Sequence, residues 1–141
     1  MTTGGDRLAR VEGPGANPKR HGLDAAADRI SALAGQAAGM FEGRQPGRRP
    51  IAVLFVAGAG IDRPEHARAV EGALRDRLHE DTRVIVVNDT LAVLRAGTPD
   101  AVGIAVPVST GGNVIGRALD GRVTDRGHGI FGGGYALGAL A

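Results

Sequence analysis

The 141-residue chain contains no cysteine and no tryptophan, and it has only one tyrosine and three phenylalanines. Without cysteine it can form no disulfides, thiolate zinc sites or cysteine-ligated iron–sulfur clusters. The four histidines are scattered without a second ligand at helical spacing, so we expect no metal site built on them. With so few aromatic residues, the core has to be built from Val, Leu, Ile and Ala.

Charge and hydrophobicity also exclude several classes of function. The net charge is only +2, and no aromatic residues interleave with the arginines to stack on bases, so we expect no nucleic-acid partner. The longest apolar run, residues 51–57, is far shorter than the roughly 20 residues that span a bilayer. The first residues lack the apolar segment of a signal peptide. We therefore expect a cytoplasmic protein with no membrane partner.

The first part of the chain alternates helical and strand patterns. Apolar residues recur at helical spacing over residues 23–41 and 67–78. Two runs without alternation, residues 51–57 and 84–87, are typical of strands buried on both faces of a parallel sheet. This alternation predicts an α/β chain with a parallel sheet.

Turn signals become denser in the remainder of the chain. Residues 90–96 predict a short helix closed by Gly97. A third apolar run, residues 102–108, contains Pro107, and Asp120-Gly121 between strand-forming segments predicts a β-hairpin. The chain has 24 glycines among its 141 residues, well above the average glycine content of roughly 7%. This excess indicates many tight turns or loops lined by backbone.

Three loops are candidates for chemistry. Gly58-Ala59-Gly60 follows a strand, but the third glycine of a dinucleotide-binding fingerprint is replaced by Arg63, which favours a strand-to-helix turn. Asp89 follows a buried strand and is either a base for a substrate hydroxyl or the cap of the next helix. The segment 109–113, Ser-Thr-Gly-Gly-Asn, offers backbone N–H groups to an anion or forms a tight hairpin turn.

Taken in order, these segments resemble the BadF/BadG/BcrA/BcrD ATPase family, especially its N-acetylglucosamine-kinase-like members. The resemblance is carried by VVNDTLAVLRAG (86–97) followed by VGIAVPVSTGGN (102–113), with the early Ala16-Asn17-Pro18 and the tail GIFGGGYALG (129–138). It implies an actin/Hsp70/hexokinase-type fold with an RNase-H-like N-terminal half. Residues 1–101 would be part of that half, and residues 102–141 would open the second half.

The resemblance also implies roles for individual residues. Asp89 corresponds to the base for the sugar hydroxyl, and the loop that contacts ATP phosphates corresponds to Thr110, Gly111 and Gly112. The chemistry would consist of positioning and charge neutralisation, with ATP and Mg²⁺ as cofactors.

Three asparagines correspond to positions near the sugar, namely Asn17, Asn88 and Asn113. The partners implied are a nucleotide and a small sugar. The cysteine-dependent branch of the family, which activates CoA-ester reductases, is excluded because the chain has no cysteine.

The chain departs from the family pattern in ways that affect activity. The Asp-Gly-Gly-x-Thr strand that opens the family, and holds Mg²⁺ and a first phosphate loop, has no counterpart in this sequence. The sequence therefore predicts a truncated or degenerate kinase with weak activity or none. The alternatives are a non-catalytic binding protein, which could form a homodimer through an exposed sheet edge, and an unrelated α/β domain with a Rossmann-like sheet.

Overall fold

The protein is a mixed α/β chain, and the computed structural model describes residues 9–42, 51–107 and 113–125. Its helices are α1 (Pro18–His21), α2 (Leu23–Glu42), α3 (Pro64–Arg75) and α4 (Asp89–Gly97). Its strands are β1 (Val53–Gly58), β2 (Arg83–Asn88), β3 (Gly103–Ala105), β4 (Ile115–Arg117) and β5 (Val123–Asp125). Two compact units meet between Val86 and Val87 in sequence, and the family-based division at residues 101/102 stays a prediction.

The first unit contains a sheet formed by β1 and β2. The backbone N–H of Arg83 donates to the carbonyl of Ala52 over 3.0 Å, so the two strands begin side by side and run parallel. Leu54 and Val56 pack against the core, but Val53 and Phe55 on the other face are more than half exposed. The prediction that this strand is buried on both faces is therefore wrong, whereas its position along the chain is confirmed.

The core of the first unit lies between this sheet and the two longer helices. Its buried members are Ala27, Ile61, Val70, Leu74, Val84 and Val86. Arg77, just beyond α3, connects the helices: it donates to the carboxylates of Asp28 (2.6 Å) and Asp24 (3.1 Å) on α2. These two acidic side chains raise the pKa of Arg77 above its ordinary value. Helical periodicity in the sequence thus located both helices correctly.

The second unit contains an antiparallel sheet in the order β3-β4-β5. Helix α4 packs against this sheet through Leu94, which is buried with Ala105 and Ile115. The third apolar run therefore contributes a short strand to an antiparallel sheet and not to the predicted parallel one. Gly97 is the last residue of α4, and Thr98 is its C-cap. The backbone N–H and the hydroxyl of Thr98 both donate to the carbonyl of Leu94.

The predicted hairpin is confirmed between β4 and β5. Ala118 N donates to Arg122 O, and Gly121 N donates to Ala118 O, each over 2.9 Å. Gly121 has φ +83°, the left-handed conformation that glycine adopts at least cost in a three-residue hairpin loop. The carboxylate of Asp120 accepts hydrogen bonds from the backbone N–H of Arg122 (3.0 Å) and from its Nε (2.7 Å).

We expect Leu74→Ala to lower the free energy of unfolding by about 2–5 kcal/mol, because Leu74 is fully buried and the substitution leaves a cavity. Urea denaturation followed by circular dichroism measures the change. Arg68→Ala, on the exposed side of the same helix, should change the stability by no more than about 0.5 kcal/mol. Equal effects of the two substitutions would contradict the assigned core.

We expect Asp120 to titrate below the ordinary range, because the backbone N–H of Arg122, followed by its side chain, holds the pKa of this carboxyl down. The ionised Asp120 carboxylate therefore contributes fully to the stability of the folded state above the ordinary aspartate pKa. This contribution is lost as the pH falls through the lowered value. NMR titration of the carboxyl carbon measures the shift, with a peptide of residues 117–123 as the unfolded reference. Arg122→Ala should raise the pKa partway, whereas Arg117→Ala should leave it unchanged.

Candidate functional site

The junction between β2 and α4 is fixed by Asn88. This residue is buried, has extended backbone angles and serves as the N-cap of α4. Its side-chain oxygen accepts the backbone N–H of Thr90 over 2.8 Å. Asn88 therefore satisfies one of the helix's free N–H groups, which gives this predicted sugar-contacting residue a definite structural role.

Asp89 is the first residue of α4, and its side chain is exposed. Because Asn88 is the cap, the alternative in which Asp89 caps the helix is wrong. The carboxylate instead lies at the positive end of the helix dipole, where negative charge is favoured. It also lies directly after a strand of a parallel sheet, the position at which open α/β sheets bind ligands.

Asn113, further along the chain in the second unit, contacts the first turn of α4. Its side-chain nitrogen donates to the hydroxyl of Thr90 over 3.1 Å, and its side-chain oxygen accepts from Val114 N over 2.9 Å. Its backbone N–H donates to the carbonyl of Pro107 over 3.2 Å. The two residues that flank segment 108–112 are thus hydrogen-bonded to each other, next to the first turn of α4.

The predicted phosphate-contacting residues Thr110, Gly111 and Gly112 lie outside the described residues. Here the structure describes only the two residues that flank segment 108–112, Pro107 and Asn113.

Thr90 lies at the centre of this cluster and was not singled out from the sequence. Its side chain is 2% exposed. Its hydroxyl accepts from Asn113 and is 3.4 Å from the carboxylate oxygen of Asp89, to which it donates. The signal in the sequence was a hydroxyl residue in the first turn of a helix, which is common and does not reveal a distant partner.

The third predicted asparagine, Asn17, lies in the first unit. It caps the short helix α1, where its side-chain oxygen accepts from Lys19 N over 2.9 Å. It also lies against the turn after β1: a Cβ placed on Gly60 would be 2.3 Å from the Asn17 oxygen, and Gly60 has φ +85°. Only glycine fits that position, for both reasons.

The nearby Gly58 also has no room for a larger side chain. A Cβ at this position would lie 2.8 Å from the Ile61 side chain. Both glycines of the Gly58-Ala59-Gly60 segment therefore face side chains of this protein. This packing favours the interpretation of the segment as a strand-to-helix turn over a dinucleotide-binding loop.

Two classes of site are absent from the described part of the chain. Residues 9–42, 51–107 and 113–125 contain no group of three or more His, Cys, Asp or Glu side chains able to hold a metal ion. In the same ranges, no helix combines the length and the apolar character needed to cross a bilayer.

No protein-family model matches the chain, and a search of curated proteins finds no match.

We expect the hydroxyl of Thr90 and the amide of Asn113 to be energetically coupled. Thr90→Val removes the hydroxyl at nearly constant shape, and Asn113→Ala removes the donor. In a double-mutant cycle measured by urea denaturation, the coupling energy should be about 0.5–1.5 kcal/mol.

The control cycle combines Asn113→Ala with Thr98→Val, whose hydroxyl donates to Leu94 O at the end of the same helix. These two changes should be additive. Additivity in both cycles would show that the bond between Asn113 and Thr90 contributes nothing to the cluster.

Proposed function

We propose that this protein is a weakly active or inactive relative of ATP-dependent sugar kinases of the N-acetylglucosamine-kinase type. In this proposal its units are parts of the RNase-H-like, actin-type ATPase fold. Asp89 is the base for the sugar hydroxyl, and the loop with Thr110, Gly111 and Gly112 faces the ATP phosphates.

The observation that carries the proposal is the hydrogen bond from Asn113 to Thr90. The two residues are 23 positions apart in sequence, and each is next to a predicted functional segment. Thr90 follows the proposed base directly, and Asn113 follows the proposed phosphate loop directly. A kinase needs these two elements side by side, because the hydroxyl that loses its proton attacks the phosphorus atom. An unrelated Rossmann-like domain carries no such requirement.

The surroundings of Asp89 suit the role of a base. The carboxylate is exposed and can reach a substrate hydroxyl, and Thr90 donates to its Oδ1. In the transfer, Asp89 accepts the proton of the sugar hydroxyl while that oxygen forms its bond to the γ-phosphorus and ADP leaves. A positioned carboxylate of this kind contributes typically 10²–10⁴-fold to such a step.

The loop between Pro107 and Asn113 suits a phosphate group. Its two flanking residues are joined by the 3.2 Å backbone hydrogen bond, and its sequence supplies two adjacent glycines and the hydroxyl of Thr110. Small residues at the end of a strand leave backbone N–H groups accessible to an anion. ATP would supply the phosphoryl group.

The described residues offer no ready-made magnesium site. They contain no cluster of three potential ligands, so Mg²⁺ would be held chiefly by phosphate oxygens and water, as is usual for this ion. Because the sequence also lacks the Asp-Gly-Gly-x-Thr motif that holds Mg²⁺ in the family it resembles, we propose nucleotide binding with little or no turnover.

We expect Mg·ATP to raise the melting temperature, because a ligand that binds only the folded state stabilises it by about 2.7 kcal/mol at 100 times its Kd. Differential scanning fluorimetry measures the shift. Gly112→Ala, in the proposed phosphate loop, should reduce it. Gly72→Ala is the matched control, since a Cβ at Gly72 meets open space on α3. No shift with Mg·ATP in the unmodified protein would overturn the proposal.

Asp89→Asn separates binding from chemistry. It should leave the shift with Mg·ATP intact and abolish any phosphorylation of N-acetylglucosamine that the unmodified protein shows. Fast turnover abolished by Asp89→Asn would confirm the base and contradict the weak activity that we propose.

The second candidate function is a non-catalytic interaction protein. The observation that favours it is the outer face of β1, where Val53 and Phe55 are 54% and 56% exposed. A protein of this kind would show no change in melting temperature with Mg·ATP, so the fluorimetry experiment described above distinguishes the two candidates.

A further inference from the structure

One edge of strand β1 carries backbone groups that have no partner strand in the described part of the chain. The sheet described there consists of β1 and β2. Ala52 O accepts from Arg83 N, so the backbone groups of even-numbered residues point towards β2. Because these directions alternate along a strand, the N–H and C=O groups of Val53, Phe55 and Ala57 point to the other side.

The outer edge of β2 differs from that of β1. There, the backbone N–H of Val86 donates to the carboxylate of Glu71 on α3, over 3.3 Å. A charged side chain that occupies a strand edge prevents further pairing, which is one of the ways in which proteins protect such edges. Among the residues that the structure describes in this sheet, β1 is therefore the strand whose edge is available to another chain.

The sequence of β1 carries none of the usual protection. Its six residues, Val-Leu-Phe-Val-Ala-Gly, include no charge and no proline. Val53 and Phe55 also expose more than half of their side chains on the outer face. Uncharged edge strands of high β-propensity are those that pair with other strands.

We propose that β1 is the docking edge for β1 of a second copy of this protein. The two strands run antiparallel about a twofold axis, with Phe55 opposite its own counterpart and Val53 opposite Ala57. This register pairs all three residues whose backbone groups face outwards. The dimer then joins β1 and β2 of both copies into one continuous sheet.

Two properties of β1 favour a second copy over another partner. The strand is complementary to itself, as a twofold interface requires, because no charge meets a like charge across the pair. The pairing also joins the exposed Val53, Phe55 and Ala57 of both copies into one apolar stripe. The pairing also gives the outward N–H and C=O groups of Val53, Phe55 and Ala57 hydrogen-bond partners in both copies. The proposal does not depend on the kinase assignment.

Concentration-dependent association and residue-specific amide exchange test the proposal together. Sedimentation velocity should show a monomer that converts to a dimer as the concentration rises. Over the same range, exchange measured by NMR should slow at the amides of Val53, Phe55 and Ala57. The amides of Leu54 and Val56 point to β2 and should be protected at every concentration.

Phe55→Lys should weaken the dimer at least about tenfold, because it places two like charges opposite each other. Ile104→Lys is the matched control: Ile104 is 74% exposed on β3, and its substitution should leave the dimer unchanged. Val53→Pro provides a second variant, since it removes an outward N–H at the first residue of the strand and keeps the bonds to β2.

Three results would overturn the proposal. The first is a monomer at all concentrations with fast exchange at the three outward amides. The second is a dimer that Ile104→Lys weakens as much as Phe55→Lys does. The third is association without a defined stoichiometry, which would show open-ended aggregation in place of a twofold pair.

Discussion

The arrangement of the candidate site depends on one hydrogen bond, from Thr90 N to the side-chain oxygen of Asn88. It ends β2 and begins α4 without an intervening loop. The consequence is that three consecutive residues have three different environments: Asn88 is buried as the cap, Asp89 is exposed, and Thr90 is buried in the first turn. Without the cap, the carboxylate would not be held at the positive end of the helix.

Thr90 extends the effect of this turn to a distant segment. Its buried hydroxyl accepts from Asn113 and donates to Asp89, so all of its described hydrogen bonds are made within the second unit. A buried hydroxyl without hydrogen-bond partners would be costly, so we expect the hydrogen bond from Asn113 to stabilise this turn. The exposed carboxylate and Asn113, just before β4, are therefore connected by hydrogen bonds through a residue that is almost fully buried.

Much of the fold could be predicted from the sequence. Periodicity located α2 and α3, apolar runs located β1 and β2, and the Asp120-Gly121 signal located the hairpin. These features are local and depend on spacing alone. The exposed outer face of β1 could not be predicted, because the same apolar run fits a strand covered on one face or on both. The antiparallel pairing of β3 depends on strands that follow it, which a local pattern does not contain.

The candidate site also depends on contacts that a local sequence pattern cannot predict. The sequence pointed to Asp89 and to segment 109–113 through their positions after apolar runs, and the family resemblance assigned them roles. The residue that connects Asp89 with Asn113, Thr90, has no distinguishing local signal. A hydroxyl in the first turn of a helix usually serves that helix alone. Its partner here comes from 23 residues further along the chain, and only the packing of β3 and β4 against α4 brings the two together. The connection thus depends on tertiary contacts, and we expect a substitution in the small sheet to alter the surroundings of the proposed base without contacting it.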